Sequence, residues 1–287
     1  MNHPPNEQRQ LQLLASAVDA ARQTPFWRRK LGNEPIRSLS DFKRLPLVEA
    51  REYRQQRFAD LVTNPEEIDW IPGPWLGQSP GHAPVAEGVS QARLRVRILR
   101  EALSPVVPKD VDEPSAVIAS TFDNRYFGAE MCAVFVRMGI PAHLVSDSGT
   151  DRFGELVGKF EPDIVALLSD RLDADDLPTS VRSVVTVGAG TVPKDIPFLD
   201  LYVCNEFGVV GSKNDGGEYN LAHDAFYFET SSEGALVVTP YFSRVQPIVR
   251  LDTGDTATFD LSNQSAHPLS PIASSSYMDE SRSIKNN

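Results

Sequence analysis

From residue 114 the chain alternates short apolar runs with amphipathic stretches. SAVIAS (115–120) is followed by a helical pattern over Tyr126–Met138, AHLVS (142–146) by a second over Arg152–Phe160, and DIVALLS (163–169) comes next. The runs are too short for helices and too uniformly apolar to leave one face wet. A parallel sheet covered by helices on both faces accommodates them. Two further runs, SVVTV (183–187) and LDLYV (199–203), each end in a turn containing Gly or Asn. Ligands in open parallel sheets bind beyond the carboxyl ends of strands, so these turns are where a site is expected. After Gly217 the texture changes to AFYFET, GALVVTPY, QPIVRL and TATFD, which read as antiparallel strands. The expected fold class is α/β, a helix-covered mainly parallel sheet followed by a small antiparallel β barrel or meander.

The flanking segments are less regular. Leu11, Leu14, Val18 and Ala21 fall at helical spacing within residues 7–31, until Pro25 stops the pattern. A second short helix is expected from Ser40, which can cap DFKRL with Leu39 as the hydrophobic residue before it. Residues 71–88 (IPGPWLGQSPGHAPVAEG) are rich in Gly and Pro and read as a long loop. The last 27 residues hold eight Ser and three Asn with few apolar positions, too few to offset ordering entropy. The expected division is a helical segment 1–70 packed on the core, a parallel-sheet subdomain 71–215, a β subdomain 216–260 and a disordered tail 261–287.

Composition excludes several functions. With 28 Lys and Arg against 39 Asp and Glu in 287 residues, the net charge of −11 argues against a sequence-independent grip on nucleic acid. No apolar run approaches the roughly 20 residues of a membrane-spanning helix. The opening MNHPPNEQRQLQ has no apolar stretch behind a basic one, so a cytoplasmic location is the expectation. Cys132 and Cys204 are too few for a disulfide framework or a four-thiolate zinc site, and neither has a placed histidine to make it a nucleophile. The five histidines lack metal-binding spacing, and no Gly-x-Gly-x-x-Gly follows the strand at 115–120.

Three segments stand out in order: VGAGTVP (187–193), LYVCNEFGVVG (201–211) and PIVRLDTGDTATF (247–259). Each has a purely structural explanation. Gly188 and Gly190 permit a tight turn, Asn205 and Glu206 read as a solvated loop pair, and Thr253-Gly254-Asp255 reads as a hairpin turn.

Taken together, they carry more. YVCNEFG resembles the Tyr-Gly-x-(Thr/Ser)-Glu-x-Gly motif of acyl-adenylate-forming enzymes, and RLDTGD resembles the Thr-Gly-Asp motif that follows it there. TPFWRRKLG with SLSDFKRLPLVEAREYR is similar to the amino-terminal region of the phenylacetate–coenzyme A ligase subgroup. FEPDIVALLSD, VGAGTVP, EYNLAHDAFYFET and EGALVVTPYFSRVQPIVRLDTGD continue the match in order over about residues 20–260. The resemblance implies the large N-terminal domain of these enzymes, activating a carboxylic acid with ATP and magnesium as an acyl-adenylate, then often passing it to coenzyme A or a carrier-protein thiol. It places Gly188, Ala189 and Gly190 along the adenine, Tyr202 stacked near it with Asn205 beside it, Glu206 on the magnesium ion and Asp255 on the ribose hydroxyls. Phe122, Tyr126 and Phe127 would wall the acyl pocket, with His223 and Asp224 nearby; an aromatic core cluster and a turn pair are the structural alternatives. A homodimer is one implied assembly, and neither nucleic acid nor membrane is an implied partner.

The chain also departs from the pattern. The phosphate loop should fall at residues 70–90, where GQSPGHAP keeps Ser79 and Gly81, offers His82 in place of lysine, and loses a donor at Pro80. Arg93, Arg97 and Arg100 share one helical face and either meet phosphate or form a solvated surface. A lysine-bearing carboxy-terminal domain has no counterpart in the 32 residues after Asp255. Two functions follow as expectations: adenylation of an aryl or otherwise hydrophobic acid in a biosynthetic pathway, or a non-catalytic or partner-dependent relative that binds acyl compound or nucleotide.

Overall fold

The amino-terminal apolar pattern forms two helices rather than one. Pro25 opens the second, in the first turn where its missing N–H costs nothing, and Thr24 caps it by accepting from Trp27 N at 3.3 Å. The computed structural model describes residues 5–69, 85–120, 125–146, 150–168, 177–187, 196–214, 218–260 and 265–268, with 125, 146, 150–153, 257–260 and 265–268 described by backbone alone. The helices are α1 (Glu7–Ala21), α2 (Pro25–Leu31), α3 (Leu39–Lys43), α4 (Ala50–Arg54), α5 (Phe58–Leu61), α6 (Val89–Leu103), α7 (Arg125–Arg137) and α8 (Thr150–Phe160). The strands are β1 (Val48–Glu49), β2 (Ala116–Ser120), β3 (Ala142–Ser146), β4 (Ile164–Leu167), β5 (Ser183–Val187), β6 (Phe198–Cys204), β7 (Gly208–Asn214), β8 (Tyr219–Leu221), β9 (Phe226–Thr230), β10 (Ala235–Pro240), β11 (Leu251–Asp260) and β12 (Ser265–Pro268). They fall into two units.

One unit gathers the described residues of Ala92–Asn220. Its strands lie in the order β3-β2-β4-β5-β6-β7, parallel from β3 to β6, with β7 antiparallel at the end. β2 and β4 are buried along their whole length, which is why their sequences show no polar alternation. Val117, Ala119, Val165, Leu167 and Val184 form a core with Val157 of α8. The residues of β2 between them point the other way, toward α7. There Gly128 lets helix and sheet meet closely: a Cβ at that position would lie 2.8 Å from Ser120 Cβ and 2.8 Å from Leu144 Cδ1.

The other unit joins the described residues of Met1–Ile71, Ser79–Gln91 and Leu221–Asn287. Strands β9, β10, β11 and β12 make an antiparallel meander, and β1 adds parallel to β11 with Val48 opposite Leu251. The helices α1–α5 pack on this meander. Trp27 Nε1 donates to Pro247 O at 2.7 Å, Gln246 Nε2 to Tyr53 OH at 2.9 Å, and the Phe42 ring stands edge-on to Tyr227 at 5.4 Å. Contacts across some 200 positions leave no trace in local composition.

Three local readings differ from the sequence. α3 is capped by Ser38, not Ser40: the Ser38 hydroxyl accepts from Asp41 N at 3.1 Å while Asp41 accepts from Arg37 N at 3.0 Å. QPIVRL is not a strand, because Arg250 adopts φ 49° and breaks the extended course before β11 begins. Within the stretch read as a disordered tail, β12 pairs with β11, Ala257 opposite Pro268, where β11 offers an open ladder.

Gly128→Val is expected to destabilise the protein by about 1–3 kcal/mol, because the added carbons have no room against Ser120; urea denaturation checks it. Burial pushes the hydroxyls of Tyr227 and Tyr241 up to about 12, with the Glu229 carboxylate adding to the effect at Tyr227. The folded state therefore holds these protons more tightly than the unfolded chain does at 10.0. Their stabilisation is full below pH 10 and is lost as the pH rises toward 12. Tyr241→Phe should flatten that alkaline decline in denaturation curves.

Candidate functional site

The LYVCNEFG segment folds as the end of β6, a tight loop and the start of β7. Cys204 pairs with Gly208, and the three-residue loop Asn205-Glu206-Phe207 is closed by Phe207 N donating to Cys204 O at 3.2 Å. Gly208 takes φ 80°, the left-handed position that such a loop needs. The loop thus projects beyond the carboxyl end of the last parallel strand. Glu206 is only 6% exposed and Asn205 is half-buried, so the pair is drawn inward rather than solvated. Tyr202 is also half-buried; it stands opposite Gly211 and edge-on to Tyr219, ring centroids 5.8 Å apart. Cys204 is buried, and burial pushes the Cys132 thiol up, away from the thiolate form.

Beneath this loop lies a buried polar cluster that the sequence reading missed. Asp200 of β6 is fully buried; its Oδ1 accepts from Thr186 Oγ1 at 2.9 Å and its Oδ2 from the Tyr219 hydroxyl. Lys213, its partner across the β6–β7 ladder, brings Nζ to 3.4 Å from Oδ2 and 4.6 Å from the centre of the Tyr219 ring. Asp200 and Tyr202 are two apart on one strand and share a face. The signal was an acidic residue in the otherwise apolar run LDLYV, which a buried strand tolerates only with partners in place.

In the other unit, RLDTGD spans a bulge, not a hairpin turn. Ala235 of β10 faces Thr256 and Val237 faces Asp252, so β11 carries two extra residues between these pairs. The bulge holds itself together: Gly254, at φ 80°, donates its N–H to Asp252 Oδ1 at 2.9 Å, Asp255 N donates to Thr253 Oγ1 at 3.2 Å, and Thr253 Oγ1 donates to Leu236 O at 3.0 Å. These bonds lift Asp255 out of the regular ladder. Arg250 anchors the start of β11. Its guanidinium pairs with Glu229 at 2.7 Å and donates to the carbonyls of Lys43, at 2.6 Å, and Leu45. His223 and Asp224 lie in the turn from β8 to β9, where His223 N donates to Leu221 O at 2.9 Å and the imidazole stands edge-on to Phe228 at 5.1 Å.

The remaining expected site residues divide. Phe127 is buried in the core and Tyr126 is 40% exposed, so the two adjacent positions of α7 do not make one wall. Arg93 and Arg100 are exposed and Arg97 pairs with Glu101 at 3.4 Å, the solvated face of α6; its neighbour Arg95 is buried against Glu130. Ser79, Gly81, His82, Phe122, Gly188, Ala189 and Gly190 lie outside the described residues. Among the described residues no group of three or more His, Cys, Asp or Glu could hold a metal ion, and no helix is long and apolar enough to cross a membrane.

No protein-family model matches the chain, and no curated protein matches it by sequence. Solved structures do match. A 2-hydroxyisobutyryl-CoA ligase in its postadenylation state, in complex with R3-HIB-AMP, aligns over 93% of this chain and 67% of its own, with TM-score 0.73 and 18% identity. The same ligase with 2-HIB-AMP and CoA in the thioesterification state aligns over 91% and 66%, with TM-score 0.71 and 18% identity. The chain thus spans about two thirds of the length of that ligase. Its fold is that of the N-terminal domain of adenylate-forming enzymes, as the ordered motifs implied.

Asp200→Ala leaves Lys213 beside an empty position and is expected to cost about 2–4 kcal/mol in urea denaturation. Arg250→Met, which leaves the Glu229 carboxylate without its guanidinium, should cost about 3–5 kcal/mol by the same measurement.

Proposed function

We propose that this chain binds ATP with magnesium and joins a carboxylic acid, aryl or otherwise hydrophobic, to AMP with release of pyrophosphate. The observation that carries the reading is the Asn205-Glu206 loop beyond the carboxyl end of β6, in a fold shared with an acyl-CoA ligase and with the family's motifs in their order. A buried carboxylate at a loop tip is a hard oxygen donor suited to Mg2+, with phosphate oxygens and water supplying the other ligands. The ionised carboxylate of Asp255 is an acceptor-only group, matched to the two hydroxyls of a ribose. Tyr202, fixed by Tyr219 on one edge and facing a glycine across the ladder, offers its ring to a purine.

In this reading the protein's own residues position reactants and neutralise charge, which is the main demand of in-line displacement at phosphorus. ATP supplies the electrophilic phosphorus and the leaving group. Gly188, Ala189 and Gly190 belong to the adenine contact by resemblance, and Ser79, Gly81 and His82 to the phosphate loop. Coenzyme A is the acceptor thiol proposed for the acyl group, and biosynthesis and a homodimer belong to the same proposal.

Calorimetric titration with ATP and magnesium tests it. Asp255→Ala should weaken nucleotide binding by roughly tenfold or more, the effect of removing hydrogen bonds to a charged acceptor. Glu206→Ala should remove the magnesium dependence of binding and the acid-dependent exchange of pyrophosphate into ATP. Nucleotide affinity unchanged by Asp255→Ala would overturn the ribose assignment, and no binding at millimolar nucleotide would overturn the reading as a whole.

A further inference from the structure

A second feature lies outside the motifs. Residues 22–57 hold ten Lys and Arg against four Asp and Glu, a local excess of six positive charges in a chain whose net charge is −11. This basic stretch lines an open cleft of about 530 Å3, within the range of small-molecule sites, between the end of α2, the loop 32–37 and α3 with the residues after it. Its wall is fixed on both sides by buried or half-buried arginines. Arg22 Nε donates to Gly32 O at 2.8 Å and its Nη2 to Glu34 O, holding the loop. On the other side the Arg250 guanidinium holds the carbonyls of Lys43 and Leu45. Leu31, Ile36 and Leu45 supply apolar lining. Lys30, Arg37 and Arg44 supply the cations, against the carboxylates of Glu34 and Asp41 in the same wall.

The three cations are differently engaged. Lys30 is held by Glu52 at 2.6 Å, Arg44 pairs with Asp41, and the Arg37 guanidinium is exposed with no hydrogen bond or ion pair among the described residues. We infer that this cavity binds a small phosphorylated anion. The unengaged Arg37 fork, flanked by Arg44 and Lys30 on their carboxylate partners, matches the several oxygens of a phosphate better than the two of a carboxylate. Arg37 and Arg44 are solvent-exposed and screened by salt, so binding weakens as ionic strength rises. A concave wall of this volume selects a soluble molecule over an extended surface. The lining shares no residue with those assigned above to nucleotide, and the inference stands or falls without them.

Titration calorimetry with inorganic pyrophosphate, without magnesium and at low ionic strength, tests this. The expected result is saturable binding that Arg37→Glu weakens by roughly tenfold or more, and Arg44→Ala also weakens. Arg57→Glu makes the same charge change at an exposed position in the same basic stretch but outside the cavity, and should bind as the unaltered protein does. Thermal melting of each variant confirms that it is folded. No saturable binding at millimolar pyrophosphate overturns the inference, as does an equal loss in Arg37→Glu and Arg57→Glu, which would show a diffuse field in place of a site. Binding to phosphatidylglycerol vesicles without binding to pyrophosphate overturns it too.

Discussion

A buried guanidinium must be surrounded by acceptors, and Arg250 recruits them from the whole of its unit. Its side chain takes both oxygens of Glu229 on β9 and the carbonyls of Lys43, the last residue of α3, and Leu45 just after it, its own N–H donates to Thr239 on β10, and its carbonyl receives Val48 N of β1. The left-handed backbone at this residue costs on the order of 1–3 kcal/mol and persists because so many partners determine it. Without them, burial of the charge would cost several kcal/mol more. One residue therefore explains why helices from the beginning of the chain and strands from its end make a single body.

The parallel-sheet unit is organised on a different principle. Its central strands are apolar on both faces, and the hydrophobic effect packs the helices against the hydrogen-bonded sheet they form. Polar chemistry is excluded from that interior and collects where the strands stop. Asp200 is the exception that marks the transition: it is the point at which the sheet changes from parallel to antiparallel pairing, with Lys213 directly across the new ladder. The loop carrying Glu206 is thereby attached to two paired strands instead of to one strand and a helix.

Periodicity made much of this legible. SVVTV became β5 residue for residue, and the runs at 115–120, 142–146 and 199–203 each became a strand within a residue or two. Those signals are local, since burial on two faces leaves its mark on every side chain of the run. What local pattern could not carry was pairing at long range: the docking of Trp27 on Pro247, the recruitment of β1 by β11, and the strand at Ser265–Pro268. QPIVRL misled because β-branched residues suggest extension, whereas the backbone of Arg250 turns to place its side chain. Among the candidate site residues the sequence singled out the Glu206 loop and the segment at Asp255, with a solvated pair and a hairpin turn as their structural alternatives, and neither alternative describes the buried loop or the bulge. Burial of a short polar segment depends on its neighbours in space, which spacing along the chain does not record.

The bulge in β11 has an even number of extra residues. Side chains alternate between faces with a period of two, so an insertion of two leaves every residue before and after it on the face it would occupy in an unbroken ladder. An odd insertion would have turned the rest of β11 inside out. The Thr253-Gly254-Asp255 segment is thus a module that a plain hairpin could acquire or lose without repacking either side, and its chemistry could arise on a strand already committed to the core.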